Sequence, residues 1–136
     1  MPISVVDASA VGALLFGEPA AERMAASMEG HALAAPTLLP YEVASICLKK
    51  IAARAHEEQL ILEALALFPA LDVKLLAVPP AAAVEIALRR KLTAYDASYL
   101  WLAAELGANL LTLDAALMRA WRRHHSRETG RWIGIP

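Results

Sequence analysis

The chain has 136 residues, of which 58% are hydrophobic and 20% charged, a composition that fits one globular domain over residues 1–136 and excludes intrinsic disorder. Cys47 is the only cysteine, so an intramolecular disulfide and cysteine-rich zinc sites are also excluded. The formal charge is −5 over residues 1–114 and +4 over residues 115–136. An acidic body with a basic tail indicates a charged partner.

Strands and helices are predicted to alternate along the chain. The β-branched run over Ile3–Val6 predicts a first strand, and further strands are predicted at residues 32–35, 73–78, 109–113 and 132–135. Helices are predicted between them, at residues 8–16, 19–29, 38–54, 57–68, 81–91, 95–106 and 115 to about 123. This alternation predicts an α/β fold in which helices cover both faces of a parallel sheet.

The chain is predicted to be cytoplasmic, with no membrane span. Acidic residues such as Asp7, Glu42 and Glu63 interrupt the apolar stretches before about 18 uncharged residues accumulate. We expect no signal peptide, because the first basic residues are Arg23 and Lys49.

Four acidic residues stand where predicted strands end or helices begin. Asp7 and Asp114 directly follow strands, while Glu42 and Asp96 lie in the first turns of helices. The carboxyl ends of parallel strands border the functional crevice of such sheets. Two carboxylates ~4 Å apart repel each other by roughly 4 kcal/mol at an effective dielectric near 20. A cluster of four therefore favours a hard divalent cation such as Mg²⁺ or Mn²⁺ as its partner.

The same positions also fit a purely structural role. Acidic residues at helix N-termini cap free N–H groups and stabilise a helix by roughly 0.5–2 kcal/mol. Asp7 and Asp114 can be plain N-caps, and Thr93 with Asp96 has the spacing of a capping box. Glu42 fits this role least, because no good N-cap residue precedes it at the right distance. Spacing alone leaves both interpretations open.

Three segments carry these acidic residues: VVDASAVGALLFGEP, LLPYEVASICLKK and LTAYDASYLWLAAELGANLLTLD. Together they resemble PIN domains, specifically the VapC-type toxins of bacterial toxin–antitoxin pairs. The resemblance implies a PIN-like three-layer α/β/α fold with a mostly parallel central sheet. It also implies endoribonuclease activity at a site where Asp7, Glu42, Asp96 and Asp114 bind Mg²⁺ or Mn²⁺. Ser9 and Thr112 match polar positions that border such a site.

The expected partners are an RNA substrate, a small antitoxin protein and a second copy of the chain. Apolar positions around residues 43–51 and 60–67 exceed one narrow stripe, which indicates a dimer surface, an antitoxin groove or a thick core. In the basic tail, Arg122, Arg123 and Arg127 are candidate ligands of RNA phosphates. A solvated final helix explains these arginines equally well.

Three functions from different classes are candidates for this chain. A metal-dependent ribonuclease toxin fits best. A receiver-type signalling domain needs an early acidic pair and a late lysine near the site, but Asp7 is followed by Ala8 and the last lysine is Lys91. A non-catalytic RNA- or protein-binding module on the same fold stays open, and metal-dependent nuclease activity distinguishes it from the toxin.

Overall fold

The structure is a computed structural model that describes residues 1–129, with side chains as far as His125. Its four strands form one sheet of order β3-β2-β1-β4, with all pairs parallel. The strands are β1 (Ile3–Val6), β2 (Ala32–Pro36), β3 (Lys74–Leu76) and β4 (Asn109–Leu111). The predicted α/β class is confirmed, and the sheet is wholly parallel over the described residues. The strand predicted at residues 132–135 lies outside them.

Helices fill every connection, as the sequence predicts. They are α1 (Ala8–Leu15), α2 (Ala21–Met28), α3 (Leu39–Ala53), α4 (Glu58–Leu65), α5 (Pro80–Arg90), α6 (Ala94–Leu106) and α7 (Ala115–Thr129), with short 3₁₀ turns at Ala55–Glu57 and Phe68–Leu71. Their boundaries differ from the predicted ones by a few residues. The largest difference is in α7, which continues to Thr129 because neither glycine nor proline interrupts it before Gly130. None of the helices over residues 1–129 combines the length and apolar character that crossing a bilayer requires.

The strand order places helices on both faces of the sheet. The chain moves from β1 to β2 to β3 in one direction and then returns past β1 to β4. Because parallel crossover connections are right-handed, α1–α4 lie on one face and α5–α6 on the other. The contacts agree, since α1 packs against α2 and α3, whereas α6 packs against α5, α7, β1, β2 and β4. The three-layer arrangement is therefore confirmed.

Helix α6 occupies the centre of its layer. Its residues 97–100 are all buried, because the sheet covers one side and neighbouring helices cover the others. Leu100 belongs to the same buried cluster as Val5 of β1 and Leu110 of β4. Burying each such side chain contributes roughly 1.5–3 kcal/mol. This packing fixes α6, and with it the acidic residue in its first turn.

The helices that follow β1 and β4 leave the sheet toward opposite faces, and the gap between them is the crevice of the fold. The two strands are neighbours in the sheet, with Val6 paired to Leu111. Beyond this pair the ladder continues for one bond, since the backbone N–H of Asp7 donates to the carbonyl of Leu111 at 3.2 Å. Asp7 and Thr112 therefore meet at the carboxyl edge, where sheets of this kind place their functional sites.

Candidate active site

Asp7 is the most heavily bonded residue at this edge. It is the N-cap of α1, where its Oδ1 accepts a hydrogen bond from the backbone N–H of Ala10 at 3.0 Å. The Ser9 hydroxyl donates to the same oxygen at 2.7 Å, and the Thr112 hydroxyl donates to Oδ2 at 2.5 Å. Only 6% of Asp7 is exposed. Both carboxylate oxygens are thus held in fixed positions.

Burial and hydrogen bonding act on the Asp7 carboxyl in opposite directions. Burial raises its pKa, and the hydrogen bonds from Thr112, Ser9 and the Ala10 N–H lower it. The negative charge of Asp114 raises it further. The net result is a raised pKa, so the ionised carboxylate is held at a free-energy cost.

Ser9 and Thr112 also accept hydrogen bonds from the backbone of the turn between β4 and α7. The Ser9 hydroxyl accepts a hydrogen bond from the N–H of Leu113 at 2.8 Å, and Thr112 Oγ1 accepts one from the N–H of Asp114 at 3.0 Å. The two hydroxyl oxygens lie 3.3 Å apart. The structure therefore places both predicted bordering residues in direct contact with Asp7 and with the turn that carries Asp114.

Asp114 is the N-cap of α7, and its Oδ1 accepts a hydrogen bond from the N–H of Leu117 at 2.9 Å. Its side chain is exposed. The capping interpretation is therefore right for both Asp7 and Asp114. It does not compete with ligand binding, because a carboxylate has about four lone-pair positions and a cap uses one of them.

Glu42 lies in the first turn of α3 but does not cap it. Instead, its Oε1 accepts a hydrogen bond from the hydroxyl of Tyr99 at 2.6 Å. Burial raises the pKa of Glu42, the hydrogen bond from Tyr99 lowers it, and the charges of Asp96 and Asp7 raise it. Burial and the contact with Glu42 raise the pKa of Tyr99, so the phenol stays protonated and donates.

Asp96 lies in the first turn of α6 beside its cap. Thr93 is the N-cap, and its Oγ1 accepts a hydrogen bond from the N–H of Asp96 at 3.1 Å. The capping interpretation is thus right for Thr93, and the Asp96 carboxylate has no capping role there. Its pKa is raised by burial and by the charges of Asp114 and Asp7.

These electrostatic interactions connect all four predicted acidic residues across four elements of the fold. The described groups that shift the pKa values of Asp7, Glu42 and Asp96 include no Lys, Arg or His. Within residues 1–129, no three Asp, Glu, His or Cys side chains are close enough to hold a metal ion as they stand. The donor chemistry fits a hard cation, since every candidate ligand atom is a carboxylate oxygen. The side chains must approach one another to enclose it.

The three arginines predicted to bind RNA have different positions. Arg122 lines a cleft of about 460 Å³ together with Thr112 and Asp114. Arg123 is exposed and is not among the residues that line this cleft. The side chain of Arg127 lies outside the described residues.

Sequence reasoning missed two residues next to the acidic cluster. Tyr99 lies three positions after Asp96, so a shared helix face was the available signal. Arg23, which borders the same cleft as Arg122, stands in α2 without any motif around it. No pattern in the sequence pointed to it.

Comparison with known proteins defines the class of protein. A family model for the PIN domain matches residues 4–121. This chain therefore belongs to the PIN domain family. Within that family it is similar to ribonuclease VapC3 of Pyrobaculum aerophilum, with 38% identity over 121 residues that cover 83% of this chain and 90% of that protein. The resemblance to VapC-type PIN proteins is thus confirmed.

A solved structure shows the same fold. The crystal structure of PAE2754 from Pyrobaculum aerophilum matches this chain with a TM-score of 0.62 and 27% sequence identity. The match covers 88% of this chain and 86% of that one. A match of this coverage includes most of the chain rather than one motif.

Proposed function

We propose that this chain is the toxin of a toxin–antitoxin pair and an endoribonuclease that hydrolyses RNA phosphodiester bonds with Mg²⁺ or Mn²⁺. In this proposal Asp7, Glu42, Asp96 and Asp114 hold the metal. The observation that carries it is the placement of these four carboxylates at the starts of α1, α3, α6 and α7, close enough for their charges to raise the pKa values of Asp7, Glu42 and Asp96. The relative named ribonuclease VapC3 supports the choice of RNA as the substrate.

A divalent cation at such a site supplies a water of lowered pKa and neutralises charge on the scissile phosphate. The protein's own contribution is to hold the ligands in place. Ser9 and Thr112 fix the Asp7 carboxylate, and Tyr99 fixes one oxygen of Glu42. Asp7 and Glu42, held in this way, need little reorganisation, so Asp96 and Asp114 make most of the approach that encloses the metal.

The first experiment tests metal dependence. Purified protein is mixed with labelled RNA and either Mg²⁺ or Mn²⁺, with and without excess EDTA. Cleavage is expected with either metal and should stop in EDTA. Asp96→Asn should abolish most cleavage, because an amide is nearly isosteric with a carboxylate but is a poor ligand for a hard cation.

The chain offers a matched control in Asp72, the one aspartate outside the acidic cluster. It is exposed and has a φ of 52°, a conformation that asparagine also adopts readily. Asp72→Asn should therefore leave cleavage unchanged. Cleavage that persists in EDTA contradicts the carboxylate mechanism. RNA binding without any cleavage favours the non-catalytic module instead.

We also propose that an antitoxin helix binds a groove between α1 and α4. This groove has a volume of about 330 Å³, with Leu15, Phe16, Leu60 and Ile61 in its walls and Lys50 and Arg54 beside them. Amphipathic helices bind grooves of this kind through their apolar face. Growth arrest by the chain expressed alone, relieved by a co-expressed small protein that co-purifies at a fixed ratio, is the expected result. Leu60→Glu should abolish co-purification but leave RNA cleavage intact.

A homodimer is part of the same proposal. Val84 and Leu88 are exposed one helical turn apart on α5, and a second copy can cover them. Light scattering on wild type and on Leu88→Lys tests this. A wild-type dimer that becomes a monomer in Leu88→Lys is expected. A wild-type monomer contradicts the proposal.

A further inference from the structure

The cleft beside Asp114 contains two arginines that come from different elements. Its walls are α2, the end of β4 and the start of α7, and its lining includes Arg23, Ser27, Thr112, Asp114, Met118 and Arg122. The three residues of α7 that line it are Ala115, Met118 and Arg122, which share one face of that helix. Arg122 is therefore on the same side of α7 as the cleft, and Arg23 is on the α2 side.

Arg23 also lines a second opening near the acidic cluster. This opening is a neighbouring groove of about 450 Å³, which Arg23 lines together with Ser9 and Leu113. Arg23 thus lies between two openings that both border the network around Asp7. Within residues 1–129 no hydrogen bond or ion pair engages its guanidinium group, and the residue is exposed.

The negative charge of the acidic cluster explains why an arginine at the position of Arg23 would matter for RNA binding. A phosphate about 8 Å from one uncompensated carboxylate is repelled by roughly 2 kcal/mol at an effective dielectric near 20. An RNA strand that reaches four carboxylates therefore needs cationic groups beside its path. An arginine is well suited, because its planar guanidinium can donate two hydrogen bonds to one phosphate.

We propose that Arg23 and Arg122 form a phosphate-binding subsite for the RNA strand next to the scissile phosphate. This inference rests on the proposed ribonuclease function. The subsite holds the substrate's backbone and takes no part in the chemistry. Arg23 therefore contributes to substrate affinity and not to the turnover of bound RNA.

The test measures the salt dependence of RNA binding. The full-length chain with Asp96→Asn, which keeps the RNA intact, is titrated against a short fluorescent single-stranded RNA of mixed sequence at several NaCl concentrations. Adding Arg23→Gln should weaken binding about tenfold and reduce the slope of log affinity against log salt by roughly 0.7. Arg23→Lys should keep most of the slope, because it keeps the charge.

Lys74→Gln is the matched control. It removes the same charge, but Lys74 is the exposed first residue of β3, at the amino edge of the sheet and on the strand farthest from β4. Its slope and affinity should equal those of the Asp96→Asn protein alone. Circular dichroism confirms that each variant is folded.

The outcomes separate the subsite from the nuclease. In the active protein, Arg23→Gln should raise KM for RNA and leave kcat unchanged. An Arg23→Gln slope equal to that of Lys74→Gln overturns the subsite, even where cleavage is normal. An Arg23→Gln variant that loses antitoxin binding but keeps the wild-type affinity for RNA also overturns the subsite. A wild-type chain that never cleaves RNA but shows the reduced slope in Arg23→Gln overturns the ribonuclease and keeps the subsite.

Discussion

The junctions β1–α1 and β4–α7 have the same local design but different environments. In each, a short strand ends at an aspartate that caps the next helix. Asp7 is buried and accepts three hydrogen bonds, whereas Asp114 is exposed and caps its helix through one. The difference follows from the sheet, since β1 is an inner strand and β4 lies at its edge over the described residues.

One local pattern therefore produces two kinds of carboxylate. The local order of strand, aspartate and helix determines that the aspartate caps the helix. The position of the strand in the sheet determines how deeply that aspartate is buried. Burial raises the pKa of Asp7, and the hydroxyls of Ser9 and Thr112 donate hydrogen bonds to its carboxylate. If both aspartates bind metal, Asp7 is the rigid ligand and Asp114 the adaptable one.

The largest expected difference is in catalysis. Asp7→Asn should lower kcat by about 10³-fold, which corresponds to roughly 4 kcal/mol, because a fixed ligand has no substitute. Asp114→Asn should lower it by about tenfold, since water can replace an exposed ligand. Single-turnover cleavage of labelled RNA at saturating metal measures both, with Asp72→Asn as control. Equal losses in the two variants contradict the proposed difference.

A second prediction concerns the residue that joins the two junctions. Thr112 donates to Asp7 and accepts from the N–H of Asp114. Thr112→Val keeps the shape but leaves both groups without this partner, and should lower the free energy of unfolding by roughly 1–3 kcal/mol. Urea denaturation measures the change. Thr112→Ser keeps the hydroxyl and should remain within about 1 kcal/mol of wild type. Equal destabilisation by both substitutions assigns the effect to packing instead.

The sequence was sufficient to predict the strand-helix alternation and to single out four acidic residues whose charges interact in the structure. Short β-branched runs that end in Asp are visible without any tertiary information, and so is the alternation that makes the sheet parallel. The difference between Asp7 and Asp114 was not predictable, because it depends on strand order. Strand order is set by long-range pairing and the handedness of crossovers.

The bond between Glu42 and Tyr99 was out of reach for a similar reason. The two residues are 57 positions apart, and they meet because α3 and α6, on opposite faces of the sheet, both begin at its carboxyl edge. Arg23 was missed because a lone arginine on a surface helix has no sequence signature. Local patterns identified the four candidate acidic ligands, whereas tertiary packing determines which residues hold or surround them.

A third prediction uses the raised pKa values in metal-free protein. The folded state of an acid with a raised pKa binds more protons than the unfolded state, so the free energy of unfolding falls as pH rises. In EDTA, wild type should thus become more stable as pH falls from about 7 to about 5. Asp7→Asn should show a weaker dependence, because it removes one of these groups. Thermal unfolding at several pH values measures the trend. A wild type whose stability depends on pH no more than that of Asp7→Asn contradicts the prediction.

The smallest expected effect separates the two roles of Asp114. Asp114→Ala removes the cap of α7, a loss of about 1 kcal/mol, but it also removes a charge that raises the pKa values of Asp7 and Asp96. The two effects oppose each other, so the net loss in EDTA should be below about 1 kcal/mol. Asp114→Ser keeps a capping oxygen and removes only the charge, so it should be as stable as wild type or more stable. Urea denaturation in EDTA compares the three proteins. If Asp114→Ser is less stable than wild type, the charge of Asp114 stabilises the metal-free fold, and its repulsion of Asp7 and Asp96 is too weak to matter.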